Sequence, residues 1–247
     1  MCTIILIVKL VPGYPLVLAA NRDEFLDRGF SAPQLWPENG ITPRIFAGKD
    51  EKEGGTWMGI NEHGVAVGIA NRHTGTKDPG KRSRGQVVLD CLNKDSLKDV
   101  EGLLGHDDLG RYNPFTLFCC HKGDARSITN YPETRIRTLG NGVHVITNCD
   151  PEDHQDQKKI YIQKTLASIP DDLETLRKRL MLLCADHSGP QAFPFPVCVH
   201  LDGYGTVSSC IVMVGDRLDA SRFYYCEGHP CKGDYKDLTP SFMSLFR

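Results

Sequence analysis

Short apolar runs separated by turn residues predict that much of this chain forms buried β-strands. Residues 4–8 and 16–20 are continuously apolar, and the Gly13-Tyr14-Pro15 turn between them predicts a hairpin. Further strands of the same character, the last two forming a closing hairpin, are expected at residues 115–120, 143–147, 207–214 and 222–226.

Apolar residues at helical spacing predict helices between and after these strands. Residues 86–104 follow this pattern with a break at Asp95-Ser96, and residues 151–169 and 171–186 predict two more helices. The second of these two carries a one-sided apolar stripe suited to covering the face of a sheet. The order of elements therefore predicts an α+β protein.

The composition is that of an ordinary globular protein. The chain has 247 residues, of which 40% are hydrophobic and 24% charged, so residues 1–247 are expected to form a single domain with one substantial core. The proline-punctuated residues 31–43 are expected to form a loop. With a formal net charge of −2, the protein has no overall positive charge to attract phosphate groups, which argues against nucleic acid as a partner.

The ten cysteines are expected to be reduced, because a core this well supplied with Leu, Ile and Val needs no disulfides. Five of them lie in apolar stretches: Cys91, Cys119, Cys120, Cys184 and Cys210. Residues 4–8 are too short to span a membrane and lack the flanks of a signal peptide. We expect a cytoplasmic protein with no integral membrane segment; association with mitochondria or the Golgi stays open, and nothing indicates the oligomeric state.

No metal site is predicted, and no cofactor is expected to be required. The chain has no C-x-x-C pair at metal-ligand spacing. Cys226, His229 and Cys231 could together supply three soft ligands, but their spacing is loose and no fourth ligand is adjacent.

Cys2 is a candidate nucleophile because only Met1 precedes it. Methionine aminopeptidases remove Met1 when the next side chain is small, and removal would leave one residue carrying both a thiol and a free α-amine. An α-amine titrates near pH 8, so a fraction of it can accept the proton of the thiol. The alternative is that Cys2 is a small buried residue at the start of a strand.

The polar cluster Asn21-Arg22-Asp23-Glu24 ends the second strand, and the hairpin places it next to Cys2. Arg22 is expected to lower the pKa of the thiol, and Asp23 or Glu24 to hold the α-ammonium. Adjacent strand residues point to opposite faces, so either Arg22 with Glu24 or Asn21 with Asp23 faces Cys2.

Four motifs in order carry a resemblance: Cys2 opening an apolar strand, Asn21-Arg22-Asp23-Glu24, the segment from Glu53 to Asn61, and Gly203-Tyr204-Gly205-Thr206. Together they resemble the NRDE family, the transport and Golgi organisation protein 2-like proteins. That family is similar to N-terminal nucleophile (Ntn) hydrolases of the cholylglycine hydrolase and penicillin V acylase type. The resemblance implies a four-layer αββα sandwich, with two mostly antiparallel sheets between helical layers.

The same resemblance implies further site residues. Asn71 is similar to an active-site Asn of the acylases and Asn148 to their oxyanion-hole Asn. Asp150 is expected to cap a helix that begins at Pro151, which would place Asn148 just ahead of a helix N-terminus. Four residues are candidates for the substrate pocket: Asn21, Trp57, His63 and His73. No counterpart of a late arginine of the acylases is found.

Two functions are therefore expected from the sequence. In the first, Cys2 hydrolyses an acyl amide, ester or thioester bond of a small molecule, assisted by Arg22, by Asp23 or Glu24, and by Asn71 and Asn148. In the second, which follows the association of the family with lipid and haem handling, the protein is a non-enzymatic carrier whose cleft binds haem or an acyl lipid.

Overall fold

The computed structural model describes residues 2–36, 43–75, 77–188 and 196–246. The chain forms two compact units, each made of two chain segments. Unit 1 comprises Met1–Asp27 and Asn141–Thr239, and unit 2 comprises Arg28–Gly140 and Pro240–Arg247. The expectation of a single domain stays a prediction, and the two units are described separately.

Each unit contains one antiparallel sheet, and the strands are numbered along the described chain. They are β1 (Cys2–Val11), β2 (Tyr14–Phe25), β3 (Phe30–Trp36), β4 (Ile45–Asp50), β5 (Met58–Asn61), β6 (Ala66–Asn71), β7 (Phe115–His121), β8 (Asp124–Thr129), β9 (Arg135–Leu139), β10 (Gly142–Ile146), β11 (His200–Leu201), β12 (Tyr204–Val214), β13 (Arg222–Glu227) and β14 (Lys236–Asp237). The helices are α1 (Arg84–Leu92), α2 (Leu97–His106), α3 (Gln157–Thr165), α4 (Leu173–Cys184) and α5 (Thr239–Met243).

The sheet of unit 1 runs in the order β10-β1-β2-β12-β13-β14, and β11 pairs with β12. Helices α3 and α4 cover one face of this sheet, where Ile5, Val17 and Ile211 of the strands pack with Ile162 and Leu180 of the helices. Each fully buried side chain of this kind contributes about 1.5–3 kcal/mol. Strands β1 and β2 are buried on both faces, which explains why their sequences are continuously apolar rather than alternating.

The sheet of unit 2 runs in the order β3-β4-β5-β6-β7-β8-β9. Helices α1 and α2 pack against it, with Val88 and Leu92 of α1 in the same cluster as Val67 and Leu117 of the strands. The expected break at Asp95-Ser96 is confirmed, because Ser96 caps α2 and accepts a hydrogen bond from the backbone N–H of Asp99 at 3.3 Å.

Two expected boundaries are wrong. Within residues 31–43, where a loop was expected, the chain forms β3 as far as Trp36; residues 37–42 lie outside the described part. Pro33 is tolerated there because β3 is an edge strand whose register shifts between Ser31 and Gln34.

None of the helices in the described ranges is long and apolar enough to cross a membrane.

The second error concerns the helix expected to begin at Pro151. Helix α3 begins at Gln157, and its N-cap is Asp156, which accepts a hydrogen bond from the backbone N–H of Lys159 at 3.1 Å. Asp150 instead accepts a hydrogen bond from the backbone N–H of Glu152 at 2.9 Å and so stabilises a local turn. Asp150 and Asp156 can each cap a helix. Only Asp156 does so, because the residues that follow it form a helix with a buried face.

Asn61 is the fully buried polar residue that holds the β5–β6 turn of unit 2 onto its helices. Its side-chain NH₂ donates to the carbonyl groups of Leu92 at 2.8 Å and Lys94 at 2.7 Å. Its side-chain oxygen accepts from the backbone N–H groups of His63 at 3.1 Å and Val65 at 2.9 Å. One amide therefore satisfies four backbone groups.

We expect Asn61→Ala to lower the free energy of unfolding by roughly 2–4 kcal/mol, because it removes these hydrogen bonds and leaves buried backbone groups without partners. Denaturant unfolding of the full chain measures the change. Asn93→Ala, at the exposed end of α1, is the matched control and is expected to change the free energy by less than about 0.5 kcal/mol. Equal effects of the two substitutions would contradict this role of Asn61.

Candidate functional site

Cys2 begins β1 and lies directly opposite Arg22 of β2 in the strand register. Directly opposite residues of an antiparallel pair point to the same face, so Arg22 rather than Asn21 shares the face of Cys2. Thr3 and Asn21 are the next opposite pair and point to the other face, which α3 and α4 cover. Cys2 is 8% exposed and Arg22 is 5% exposed, so both side chains are buried.

The charge of Arg22 lowers the pKa of the Cys2 thiol, as expected, but the net shift is upward. Burial raises the pKa of Cys2 above its ordinary value. The positive charge of the N-terminus, a backbone hydrogen bond from Asp23 and the charge of Arg22 lower the pKa, but they do not offset the loss of hydration. The Cys2 side chain is therefore a protonated thiol at neutral pH.

The polar cluster is anchored through Asp23, which is 1% exposed. The hydroxyl group of Thr206 donates to its carboxylate at 2.6 Å, and the hydroxyl group of Tyr204 donates to its backbone carbonyl at 2.9 Å. These contacts explain the Gly203-Tyr204-Gly205-Thr206 motif. Gly205 belongs to it because a Cβ at this position would lie 2.6 Å from the carbonyl oxygen of Val199.

Lys158 of α3 is the charge that compensates Asp23. Burial raises the pKa of Asp23, and Lys158 is the strongest of the charges that oppose this rise. Burial lowers the pKa of Lys158, and Asp23 is the strongest of the charges that oppose that fall. The Lys158 ammonium also donates to the Thr3 hydroxyl at 3.3 Å. A fully buried lysine therefore stabilises the carboxylate beside Cys2.

Glu24 follows Asp23 in β2. Its side chain is half-buried, and one carboxylate oxygen accepts a hydrogen bond from the backbone N–H of Phe25 at 3.0 Å. Asp23 is among the residues that shift the pKa of Cys2. Asp23 thus interacts electrostatically with the thiol, and the expected role of Glu24 stays a prediction.

Asn148 is 2% exposed and follows β10, the neighbour of β1 on the side away from β2. Ile146 lies opposite Ile4. The pairing with β1 ends there, so Asn148 lies two residues beyond the last paired residue of β10. The expected helix start at Pro151 is wrong, as α3 begins only at Gln157, so Asn148 does not lie directly ahead of a helix N-terminus.

Asn21 has a structural role on the face covered by helices. Its side-chain NH₂ donates to the carbonyl groups of Cys184 at 2.8 Å and Val197 at 2.9 Å. These hydrogen bonds join β2 to the end of α4 and to the segment before β11. They occupy the amide that was expected to line a substrate pocket.

Asn71 and His73 belong to unit 2. Asn71 is the half-buried last residue of β6, and His73 is exposed two residues later. Both line an open pocket whose remaining walls come from the same unit: Arg72, Thr74, Gly75, Lys77, Arg84, Asn113 and Pro114. The expected roles of Asn71 and His73 stay predictions.

The other two pocket candidates of unit 2 make structural contacts. Trp57 packs against the core of this unit and stacks edge-on with Phe30, the ring centroids being 6.2 Å apart. His63 lies in the β5–β6 turn, with its side chain 42% exposed and 3.3 Å from the carboxylate of Asp95. His63 and His73 lie at opposite ends of β6, about 20 Å apart along the strand. The expected roles of Trp57 and His63 in a substrate pocket stay predictions.

Lys158 was not expected from the sequence, and Thr206 was expected only as part of a motif, without a chemical role. Lysine residues are almost always solvated, and nothing distinguishes Lys158 from its neighbour Lys159 in the sequence. The presence of Thr206 in a motif was the one available signal. Its partner Asp23 is 183 positions away along the chain.

Solved structures confirm the expected fold class. The N-acylethanolamine-hydrolyzing acid amidase ortholog of Caenorhabditis elegans matches with a TM-score of 0.57 at 12% identity, covering 85% of this chain and 92% of that protein. A mutant of the conjugated bile acid hydrolase from Clostridium perfringens matches with a TM-score of 0.59 at 10% identity, covering 100% of this chain and 94% of that protein. At these identities the likeness establishes the α+β sandwich fold of Ntn hydrolases.

The sequence comparisons agree. The human Transport and Golgi organization protein 2 homolog is 29% identical in an alignment over 236 residues. The match covers 82% of this chain and 83% of the relative. The model of the Transport and Golgi organisation 2 family matches residues 1–227. Because this match spans far more than half of the chain, the protein belongs to the Transport and Golgi organisation 2 family.

Proposed function

We propose that this protein is an N-terminal nucleophile hydrolase in which Cys2 cleaves an acyl bond of a small molecule, with amides as the first class to consider. The observation that carries the proposal is the placement of Cys2 on the middle one of three neighbouring chain segments. Arg22 lies opposite it in β2 on one side, and on the other side Asn148 follows two residues after the last paired residue of β10. The sheet thus fixes a nucleophile and a cation on adjacent strands, and an amide donor follows the third strand.

The reaction begins with a proton transfer from the thiol. Removal of Met1 gives Cys2 a free α-amine, whose pKa near 8 lets part of it accept the proton as sulfur attacks the carbonyl carbon. The resulting ammonium returns this proton to the leaving amine when the C–N bond breaks. Water then hydrolyses the thioester, which releases the acid and restores the thiol. The raised pKa of Cys2 fits this order, since the proton leaves only when the amine can accept it.

Each neighbour of Cys2 has a separate task in this mechanism. Arg22 stabilises negative charge that develops on sulfur, and Asn148 donates to the oxyanion of the tetrahedral intermediate. Asp23, which accepts a hydrogen bond from Thr206 and whose charge Lys158 opposes, provides a fixed negative charge for the α-ammonium. Asn71 is the second expected oxyanion donor, and its part in the reaction rests on the resemblance alone.

The substrate class follows from the chemistry and from the solved neighbours. These neighbours are a hydrolase of N-acylethanolamines and a hydrolase of conjugated bile acids. An acyl amide is the substrate type to which a cysteine with its own amine is suited, and esters and thioesters undergo the same acyl transfer. Carriage of haem or an acyl lipid without turnover is the competing outcome of the experiment below.

We expect protein from a methionine-processing host to have an intact mass lower by one methionine residue. This processed protein should turn over at least one member of a panel of N-acylethanolamines, conjugated bile acids, acyl esters and acyl thioesters. Cys2→Ala should reduce kcat by roughly 10⁴-fold or more while ligand affinity is retained, because the thiol acts only in the chemical step. Product formation and isothermal titration measure the two effects.

Cys91→Ala is the matched control, since it removes a buried thiol from α1, where alanine is favoured, and should leave turnover unchanged. Absence of turnover by the processed protein across the whole panel, together with saturable haem binding, would replace the hydrolase with the carrier. Retention of Met1 in soluble protein would also exclude the proposed base.

We expect Asn148→Ala to reduce kcat by roughly 100-fold or more with little change in KM, because one oxyanion donor is lost. Steady-state kinetics on the best substrate of the panel measure both constants. Asn141→Ala, an exposed asparagine before β10, is the control and should behave as the unmodified protein. An equal change of kcat in both variants would exclude the oxyanion role of Asn148.

We expect Lys158→Met to lower the free energy of unfolding at pH 8 by roughly 3–5 kcal/mol, because it leaves the Asp23 carboxylate buried without its compensating charge. Burial already raises the pKa of Asp23 above its ordinary value of 3.8, and loss of Lys158 raises it further. Protonation of Asp23 then becomes easier as the pH falls, so the loss of stability should be smaller at pH 5 than at pH 8.

Denaturant unfolding at the two pH values measures this effect. Lys159→Met is the matched control: the side chain of Lys159 is half-buried, donates to the carbonyl of Pro151 at 2.8 Å, and should cost less than about 1 kcal/mol at either pH. A loss in Lys158→Met that does not depend on pH would show that Lys158 stabilises the fold through packing rather than through Asp23.

A further inference from the structure

Four side chains with metal-ligating atoms converge at one end of unit 1. They are His187, Cys198, His200 and Cys231, and their ligand atoms all lie within 4.8 Å of one another. His187 lies three residues beyond α4 and Cys198 just before β11. His200 lies within β11, and Cys231 lies beyond β13. Cys198 is fully buried, whereas the other three are exposed.

The distances in this cluster suit a single ion at its centre. Nε2 of His200 lies 3.7 Å from Sγ of Cys198 and 3.2 Å from Sγ of Cys231. Two such ligands of a tetrahedral zinc ion are separated by about 3.5 Å, which follows from bond lengths of roughly 2.0 Å to nitrogen and 2.3 Å to sulfur. The two observed distances lie on either side of this value.

We propose that His187, Cys198, His200 and Cys231 bind a zinc ion. Two thiolates and two imidazoles form the Cys₂His₂ set found in structural zinc sites, and this mixture of soft and intermediate ligands disfavours magnesium and calcium. Binding releases the protons of the two thiols to the solvent. Because four protein ligands complete the tetrahedron, the ion has no open position for a substrate, and its role is structural.

The position of the cluster indicates what the ion stabilises. Cys198 and His200 flank Val199, whose backbone N–H donates to the Thr206 hydroxyl at 2.9 Å and whose carbonyl accepts from the Thr206 backbone N–H at 2.9 Å. Thr206 in turn holds the carboxylate of Asp23. Zinc would therefore anchor the segment that supports Asp23. Binding of the metal does not require the protein to be a hydrolase.

The sequence pointed to a different set of ligands around Cys231. Cys226 is buried and its thiol contacts the carbonyl of Glu227 at 3.7 Å, so it takes no part in the cluster. His229 packs against the ring of His200, with centroids 3.9 Å apart, and is a neighbour of the ligand set rather than a member. Only Cys231 is common to the two sets, and the other three ligands lie 31 or more positions earlier in the chain.

We expect the full chain, purified without a polyhistidine tag, to contain about one zinc ion per molecule by elemental mass spectrometry. After removal of zinc, titration against a chromophoric chelator should show rebinding of Zn²⁺. His200→Ala and Cys231→Ser should each weaken this affinity by more than about 100-fold, because loss of even an outer-shell partner costs roughly 10–100-fold. His154→Ala, at an exposed histidine outside the cluster, is the control and should retain the ion.

Cobalt provides a test that does not depend on variants. Co²⁺ added to the zinc-free protein should give the visible absorption of a tetrahedral thiolate complex, and Zn²⁺ should displace it. Zinc should also raise the Tm of the unmodified chain but not of Cys231→Ser. A zinc content no higher than that of Cys231→Ser, or a disulfide between Cys198 and Cys231 in freshly purified protein, would overturn the proposal. A failure to detect hydrolysis would not count against the zinc site.

Discussion

The buried carboxylate of Asp23 is the constraint on which the candidate site depends. A negative charge removed from water destabilises the fold unless it is paired and hydrogen-bonded, and here helix α3 provides Lys158 while strand β12 provides Thr206. The same carboxylate lies at the end of β2, one residue beyond the partner of Cys2. Compensation of one charge therefore joins two strands and a helix around the thiol.

The polar groups around this carboxylate form a continuous chain of support. Asp23 is held by Thr206, Thr206 by the backbone of Val199, and Val199 lies between the two zinc ligands proposed on either side of it. Asn21, one strand position before Arg22, fastens β2 to the carbonyl of Val197 in the same segment. A reacting group needs such fixed neighbours, because its geometry must persist through the reaction.

Much of the secondary structure could be predicted because it follows from local patterns. The continuously apolar β1 and β2, the break at Asp95-Ser96 and the closing hairpin are all present where the sequence placed them. The errors occur where local signals compete. Pro33 suggested a loop, yet an edge strand with a register shift accepts a proline, and Asp150 suggested a helix cap that Asp156 provides six residues later.

The sequence by itself determined the most apolar strands, the pairing of Cys2 with the polar cluster and the family. These depend on residues close together in the chain or on motifs read in order. Only the tertiary structure decided that Arg22 shares the face of Cys2, that burial raises the pKa of the thiol, and that Lys158 compensates Asp23. Strand register, loss of hydration and the approach of side chains distant in sequence arise only when the chain packs, so no local pattern encodes them.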